Sequence, residues 1–168
     1  MDRKPLVGIL MGSDSDLPVM QKVTEVLDEM DVTYEVDICS AHRLPDKTSE
    51  YARSARERGI EVVIAGAGMA AHLAGVIAAH TTLPVIGVPL ASGSLNGVDA
   101  LYATVQMPPG IPVATVAVNG GKNAAYLACS ILSIKYPEIS ATLDAYREET
   151  RDKLQKKSEK LRDKLALS

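Results

Sequence analysis

The sequence predicts a single α/β domain built on a central parallel sheet. Five short apolar runs, at residues 6–11, 34–39, 61–65, 85–89 and 113–118, alternate with helix-like stretches, which is the rhythm of consecutive βαβ units. The runs VVIAGAG and PVIGVPL are apolar at successive positions, which suits strands covered by helices on both faces. We therefore expect a parallel sheet between helical layers.

The segments between the runs have helical periodicity. Residues 45–58 predict a helix that ends at Gly59, residues 69–80 predict an alanine- and glycine-rich helix, and residues 119–136 predict a further one before Pro137. Residues 17–30 predict a helix lying on the sheet, because apolar side chains recur at three- and four-residue steps: Val19, Met20, Val23, Val26, Leu27 and Met30.

The C-terminal segment, residues 141–165, is dense in charge and carries only a thin apolar line. Two interpretations stay open: a solvated helix, or an arm that packs on a neighbouring subunit because such a narrow stripe buries little against its own domain. The line consists of Leu143, Tyr146, Leu154, Leu161 and Leu165.

Composition and charge exclude several classes of protein. The chain has 168 residues, of which 46% are hydrophobic and 23% charged, and this suits one domain with one core, taken as residues 1–168. With a formal net charge of −3, the chain lacks the broad basic surface expected of a nucleic-acid-binding protein. The chain has no apolar run long enough to cross a membrane and no signal-peptide pattern, so we expect a cytoplasmic protein. Cys39 and Cys129 lack metal-site spacing, which predicts buried, reduced thiols with neither metal nor disulfide.

The loop after the first run, GSDSD, has the residues of an anion or hydroxyl site. Ligands of open parallel sheets collect beyond the carboxyl ends of the strands. Gly12 permits a tight turn, and Ser13 and Ser15 bring short polar side chains to a helix start, where backbone N–H groups attract phosphate. Asp16 is suited to accept from ribose hydroxyls. The alternative is ordinary N-capping of the helix by Ser15 or Asp16.

The second run ends in CSAHRLPD, which places Ser40, His42 and Arg43 directly after a strand. The planar guanidinium of arginine matches phosphate, and histidine is the side chain that gains and loses a proton near neutral pH. The alternative is a surface histidine that happens to lie beside an arginine.

The third run ends in AGAGMAAHLAG, where Gly66 and Gly68 allow the backbone to approach a flat ligand. The GxGxxG-like spacing with Ala71 last follows the third run rather than the first, and no acidic residue lies about twenty positions on. NAD is therefore not the favoured ligand. His72 is either a second polar group of the site or a helix residue satisfied by backbone.

Residues 89–113 predict a long loop of small polar residues, and long loops in compact domains are usually functional. Ser92, Ser94 and Asn96 are candidates to line the pocket, whereas MPPG indicates a rigid turn into the fifth strand.

These motifs together resemble the PurE family. The stretches GSDSD, SAHRLPD, AGAGMAAHLAG and LNGVDALYATVQMPPGIPVATVAVNGGKNAAYLA follow one another in this order, and the resemblance covers about residues 5–136. It implies carboxylate transfer from an exocyclic amine to an imidazole ring carbon of a phosphoribosyl substrate, in purine biosynthesis. It also implies a flavodoxin-like three-layer α/β/α sandwich, an octamer with shared active sites, a C-terminal arm over residues 137–168 that contacts a neighbour, and no metal or organic cofactor.

The resemblance also implies roles for individual residues. His42 takes the position of the general acid and base. The substrate-binding set that it implies comprises Ser13, Ser15, Asp16, Ser40, Arg43, Gly66, Gly68, His72 and Leu73.

Two rival functions stay open on the sequence. One is the sister activity, direct carboxylation of aminoimidazole ribonucleotide by CO2, although SAHR in place of SAHK and the pair His72-Leu73 favour the mutase. The other is a flavin- or nucleotide-binding module without catalysis, which the sheet architecture alone permits.

Overall fold

A five-stranded parallel sheet in the order β2-β1-β3-β4-β5 organises the computed structural model, which describes residues 4–166. The strands are β1 Val7–Met11, β2 Tyr34–Ile38, β3 Val62–Gly68, β4 Val85–Leu90 and β5 Ala114–Thr115. The helices are α1 Leu17–Glu29, α2 Pro45–Arg58, α3 Leu73–His80, α4 Val98–Val105, α5 Gly121–Leu132 and α6 Pro137–Ala166, and a 3-10 turn spans Asp14–Asp16.

The two faces of the sheet carry separate cores, as the predicted sandwich requires. On one face Met20 and Leu27 of α1 pack with Ala124 and Ala128 of α5. On the other face α2 and α3 contribute the buried residues Tyr51, Ala52, Ala55, Leu73 and Ile77. The strand order reverses beside β1, which is the flavodoxin-like arrangement. The fold class is therefore confirmed.

Burial along the strands follows their place in the sheet. Every residue of β1 and β4 is buried, as their two-faced apolar sequences predict. The edge strand β2 leaves Val36 and Ile38 exposed by 45% and 40%, and its sequence YEVDI is accordingly mixed.

The small residues of α5 bring it close to α1. Ala124, Ala125 and Ala128 are fully buried, and a Cβ added at Gly121 would lie 2.6 Å from the carbonyl oxygen of Val19. The alanine-rich sequence of this helix thus allows its backbone to pack closely against α1.

Several predicted boundaries were wrong. The third strand extends to Gly68 and α3 begins at Leu73 rather than 69, because Met69 and Ala71 adopt positive φ angles of 53° and 28° that no helix contains. The edge strand β5 is only two residues long, since its pairing to β4 is confined to Ala114 and Thr115.

The predicted long loop over 89–113 contains the helix α4, and Pro137 begins α6 rather than only ending the helix before it. Proline is favourable at a first helical position because its missing N–H has no partner there in any case. The helix α6 spans 30 residues; it buries Ile139 and Leu143 against the domain, and residues 151–166 are exposed throughout.

Among residues 4–166, none of the helices has the length and apolar character needed to span a membrane.

Candidate active site

A cavity of about 460 Å³ opens at the carboxyl ends of β1, β2 and β3. Its walls are the β1–α1, β2–α2 and β3–α3 loops, with Ser92 added from the loop after β4. Because β2 and β3 flank β1 on opposite sides, the strand order reverses at this point, which is where open α/β sheets bind ligands.

Hydrogen bonds within the β1–α1 loop set its conformation. The Ser13 N–H donates to Asp16 Oδ2 at 3.0 Å, and Ser13 Oγ accepts from the Ser15 N–H at 3.4 Å. This reciprocal capping arrangement shapes the 3-10 turn. The capping side chain is therefore Ser13 rather than Ser15, and Asp16 completes this turn but makes no side-chain cap to α1. Ser13 and Asp16 also line the cavity.

The surroundings of the Asp16 carboxyl act on its pKa in opposite directions. Burial raises its pKa above the ordinary value, while the N–H groups of Ser13 and Gly12 and the charge of Arg43 act to lower it. The raising influence prevails. A carboxylate kept partly out of water in this way is ready to accept hydrogen bonds from a ligand.

Arg43 connects the β1–α1 and β2–α2 loops. Its Nη2 donates to the Gly12 carbonyl oxygen at 2.8 Å. Its backbone N–H and Nε donate to Ser40 Oγ at 3.2 and 3.4 Å, and Ser40 is only 7% exposed. The buried serine therefore orients the guanidinium beside Ser13 and Asp16, where it gives the cavity a fixed positive charge.

His42 and His72 meet across the cavity. Nε2 of His42 lies 2.6 Å from Nδ1 of His72, and the rings stand nearly perpendicular at 80° with centroids 4.8 Å apart. A hydrogen bond at this distance needs one N–H and one lone pair, so one proton lies between the two rings. The two rings therefore lie within hydrogen-bond distance at the carboxyl end of the sheet, and the tautomer decides which of them is the donor.

His72 is brought to His42 by a strained loop. Met69 and Ala71 adopt left-handed φ angles, each of which costs about 1–3 kcal/mol for a non-glycine residue. The Ala71 N–H donates to the Gly68 carbonyl oxygen at 3.0 Å and tightens the turn. Such strain accumulates at functional sites because the surrounding structure maintains it.

The remaining predicted site residues have different places. Gly68 and Leu73 line the cavity, although Leu73 is only 2% exposed. Gly66 lies outside the lining, since an added Cβ there would meet the Met20 Sδ at 2.3 Å in the core. Of the three candidates in the loop after β4, Ser92 lines the cavity and Ser94 and Asn96 do not.

Functional backbone in the β3–α3 loop was missed by sequence reasoning. Residues 69–71 line the cavity, but the prediction assigned them to a helix. Their signal was the glycine-rich end of VVIAGAG, which marks a strand that ends where the backbone must turn sharply.

Comparison with known proteins shows the family of the chain. Residues 6–153 match the model of the family described as AIRC, AIR carboxylase. The chain is similar to the N5-carboxyaminoimidazole ribonucleotide mutase of Pyrococcus abyssi, with 64% identity over 86% of this chain and 83% of that protein. It is also similar to the mutase of Pyrococcus horikoshii, with 59% identity over 95% of this chain and 90% of that protein. The crystal structure of Treponema denticola PurE superposes with a TM-score of 0.86 at 32% identity, covering 94% of this chain and 98% of that one.

Proposed function

The chain belongs to the AIR carboxylase family, and from this membership we propose that it converts N5-carboxyaminoimidazole ribonucleotide to 4-carboxy-5-aminoimidazole ribonucleotide by releasing and recapturing CO2 at His42. It is an isomerase of purine biosynthesis that acts on a phosphoribosyl aminoimidazole. The observation that carries the mechanism is the His42–His72 contact of 2.6 Å inside a cavity that also contains Arg43 and Asp16.

The substrate's phosphate and ribose are assigned to the β1–α1 side of the cavity. Arg43, oriented by Ser40, supplies the positive charge, and the Ser15 hydroxyl supplies a donor for phosphate oxygens. The Ser13 hydroxyl donates to Asp14 Oδ1 at 2.9 Å and adds a second donor only by turning away from that carboxylate. Asp16 accepts from the ribose hydroxyls. These contacts are remote from the reacting atoms, so their binding energy serves to hold the ring beside His42.

The carboxylate shift needs one proton carrier. In the first step the N–CO2 bond breaks, and the His42 imidazolium gives its proton to the departing exocyclic nitrogen. In the second step the ring carbon forms a bond to the retained CO2, and neutral His42 removes the proton from that carbon to restore aromaticity. His42 thus begins and ends protonated, with no net proton consumed. Holding CO2 and the ring in one cavity favours recapture.

His72 supports this cycle by holding the His42 ring. Nδ1 of neutral His72 accepts the Nε2–H of His42, which leaves the other ring nitrogen, Nδ1 of His42, to exchange the proton with the substrate. The contact therefore orients His42 in both halves of the reaction.

The test replaces His42 and compares the result with another histidine. We expect His42→Asn to reduce turnover of the carbamate nucleotide about a thousandfold while nucleotide binding stays measurable by calorimetry. His80→Asn is the matched control, because His80 lies at the end of α3 with its Nδ1 on the Val76 carbonyl oxygen.

Three outcomes would contradict the proposal. Normal turnover in His42→Asn would remove the assigned acid and base. Efficient consumption of aminoimidazole ribonucleotide with bicarbonate and no ATP would assign direct carboxylation instead. Binding of nucleotide or flavin without any turnover by the unaltered protein would indicate a binding module.

An octameric, cytoplasmic enzyme is part of the proposal. An apolar surface on and before α4 supports assembly, because Leu95, Val98, Tyr102 and Val105 are all about half exposed or more. Clusters of this kind mark protein–protein contacts.

A further inference from the structure

Asn119, in the loop between β5 and α5, attaches that loop to the end of β4. Its N–H donates to the Pro89 carbonyl oxygen at 2.8 Å. Its side-chain Oδ1 accepts from the Ala91 N–H at 2.9 Å. The backbone of Asn119 is left-handed with φ 58°, a conformation that asparagine adopts more readily than most residues. One residue thus holds both sides of Leu90.

The loop that follows β4, residues 91–97, is closed at its base beside Asn119. A Cβ added at Gly97, whose φ is 88°, would lie 3.0 Å from the Ala91 Cα and 2.6 Å from Val118 Cγ1. Ala91 and Gly97, the first and last residues of the loop, therefore lie close together and next to Val118, the residue before Asn119. Because the Asn119 side chain accepts from the N–H of Ala91, the first residue of the loop, this amide fixes where the loop starts.

The start of this loop carries Ser92 into the cavity. A Cβ added at Gly68 would lie 2.2 Å from Ser92 Oγ, so the hydroxyl lies directly on Gly68. Gly68 in turn accepts the hydrogen bond from Ala71 that tightens the loop bearing His72. A continuous set of contacts thus runs from Asn119 through Ala91 and Ser92 to the His72 loop.

We infer that Asn119 is a positioning residue: its amide holds Ser92 against Gly68 and so maintains the cavity wall next to His72. This inference rests on the proposed function, because the cavity is taken to be the substrate site. Asn119 itself is exposed and lies outside the cavity lining. Asn119 orders the loop before substrate binds, so the free energy of binding is not reduced by the entropy lost in ordering that loop.

The test separates the amide from the backbone conformation. Asn119→Gly keeps the left-handed backbone accessible and removes the acceptor. We expect KM to rise about fivefold with kcat unchanged, because substrate binding must then order a loop that has lost one hydrogen bond. Asn119→Asp retains an acceptor oxygen and should restore KM to within about twofold. Asn96→Gly is the matched control, since Asn96 is an exposed left-handed asparagine with φ 49° in the loop after β4, and the KM of this variant should not change.

A double-mutant cycle tests the route through Ser92. In Ser92→Ala protein the further change Asn119→Gly should add less than twofold to KM, because the amide then has no hydroxyl to position. A KM for Asn119→Gly equal to that of the unaltered protein, a failure of Asn119→Asp to restore it, or full additivity with Ser92→Ala would each overturn the inference. A purely structural role would lower the active fraction, and hence kcat, without raising KM.

Calorimetric binding of aminoimidazole ribonucleotide makes the two proposals separable. An unaltered protein that binds this nucleotide without turnover refutes the mutase proposal, yet the same fivefold loss of affinity in Asn119→Gly still supports the positioning role. An unaltered protein that turns over normally alongside an Asn119→Gly variant with unchanged affinity refutes the positioning role alone. A protein that binds no such nucleotide refutes both.

Discussion

Replacing Gly66 by alanine should destabilise the fold without weakening substrate binding. The added Cβ would lie 2.3 Å from Met20 Sδ and 3.1 Å from Met20 Cε, and Met20 is fully buried between α1 and the sheet. Overpacking of this kind lowers the free energy of unfolding by about 1–3 kcal/mol. Alanine also lowers the entropy of the unfolded chain, which stabilises the fold by less than about 1 kcal/mol. We expect a net loss of about 1.5 kcal/mol, which lowers Tm by roughly 5 °C in a domain of this size.

Thermal unfolding followed by circular dichroism, at one fixed protein concentration, measures this loss. Gly75→Ala is the matched control, because its Cβ would meet the end of Met107 only at 3.2 Å and alanine favours the helix that contains it. Adding Met20→Val to Gly66→Ala should recover part of the loss by making room. A Gly66→Ala protein with unchanged Tm and a raised KM would contradict this prediction and place Gly66 at the substrate.

Two further predictions concern Asp16 and the surface of α4. Burial raises the pKa of the Asp16 carboxyl in the folded chain, so the folded protein loses stability as rising pH ionises this carboxyl. The Tm of Asp16→Asn should therefore increase relative to that of the unaltered protein between pH 4 and pH 7, while its nucleotide affinity falls. A Tm difference that shrinks toward pH 7 would contradict this. Tyr102 is 61% exposed on α4, so Tyr102→Arg should reduce the mass measured by light scattering by placing a charge in an apolar contact, whereas an unchanged oligomeric mass would exclude this surface from the assembly.

The secondary structure that depends on local signals was predictable. Pro45 at the first position of α2 and Gly59 beyond its end, with φ 105°, set both bounds of that helix correctly. The buried strands β1 and β4 were recognised because both of their faces are apolar. The helix α4 was missed because the glycine- and serine-rich stretch before it is typical of a loop, and this outweighed the eight helical residues that follow.

The candidate site was predictable as a set of segments and only partly as a set of contacts. The motifs after β1, β2 and β3 do line one cavity, because the carboxyl ends of parallel strands share one edge of the sheet. Gly66 was grouped with Gly68 for the same reason, yet the packing of Met20 against it is a contact between helix and sheet that sequence spacing does not show.

Residues close together in the chain were enough to predict the α/β class, the helix ends marked by proline and glycine, and the three polar segments that follow the strands. Two contacts between distant residues depend instead on the folded chain: His42 lies 2.6 Å from His72, thirty residues further on, and Asn119 holds the loop of Ser92. The physical reason is the strand order: β2 and β3 flank β1 and bring their loops together over its end, whereas β5 lies beside β4 and brings the next loop to Ala91. Strand order results from how helices cover both faces of the sheet, which is a property of the whole chain.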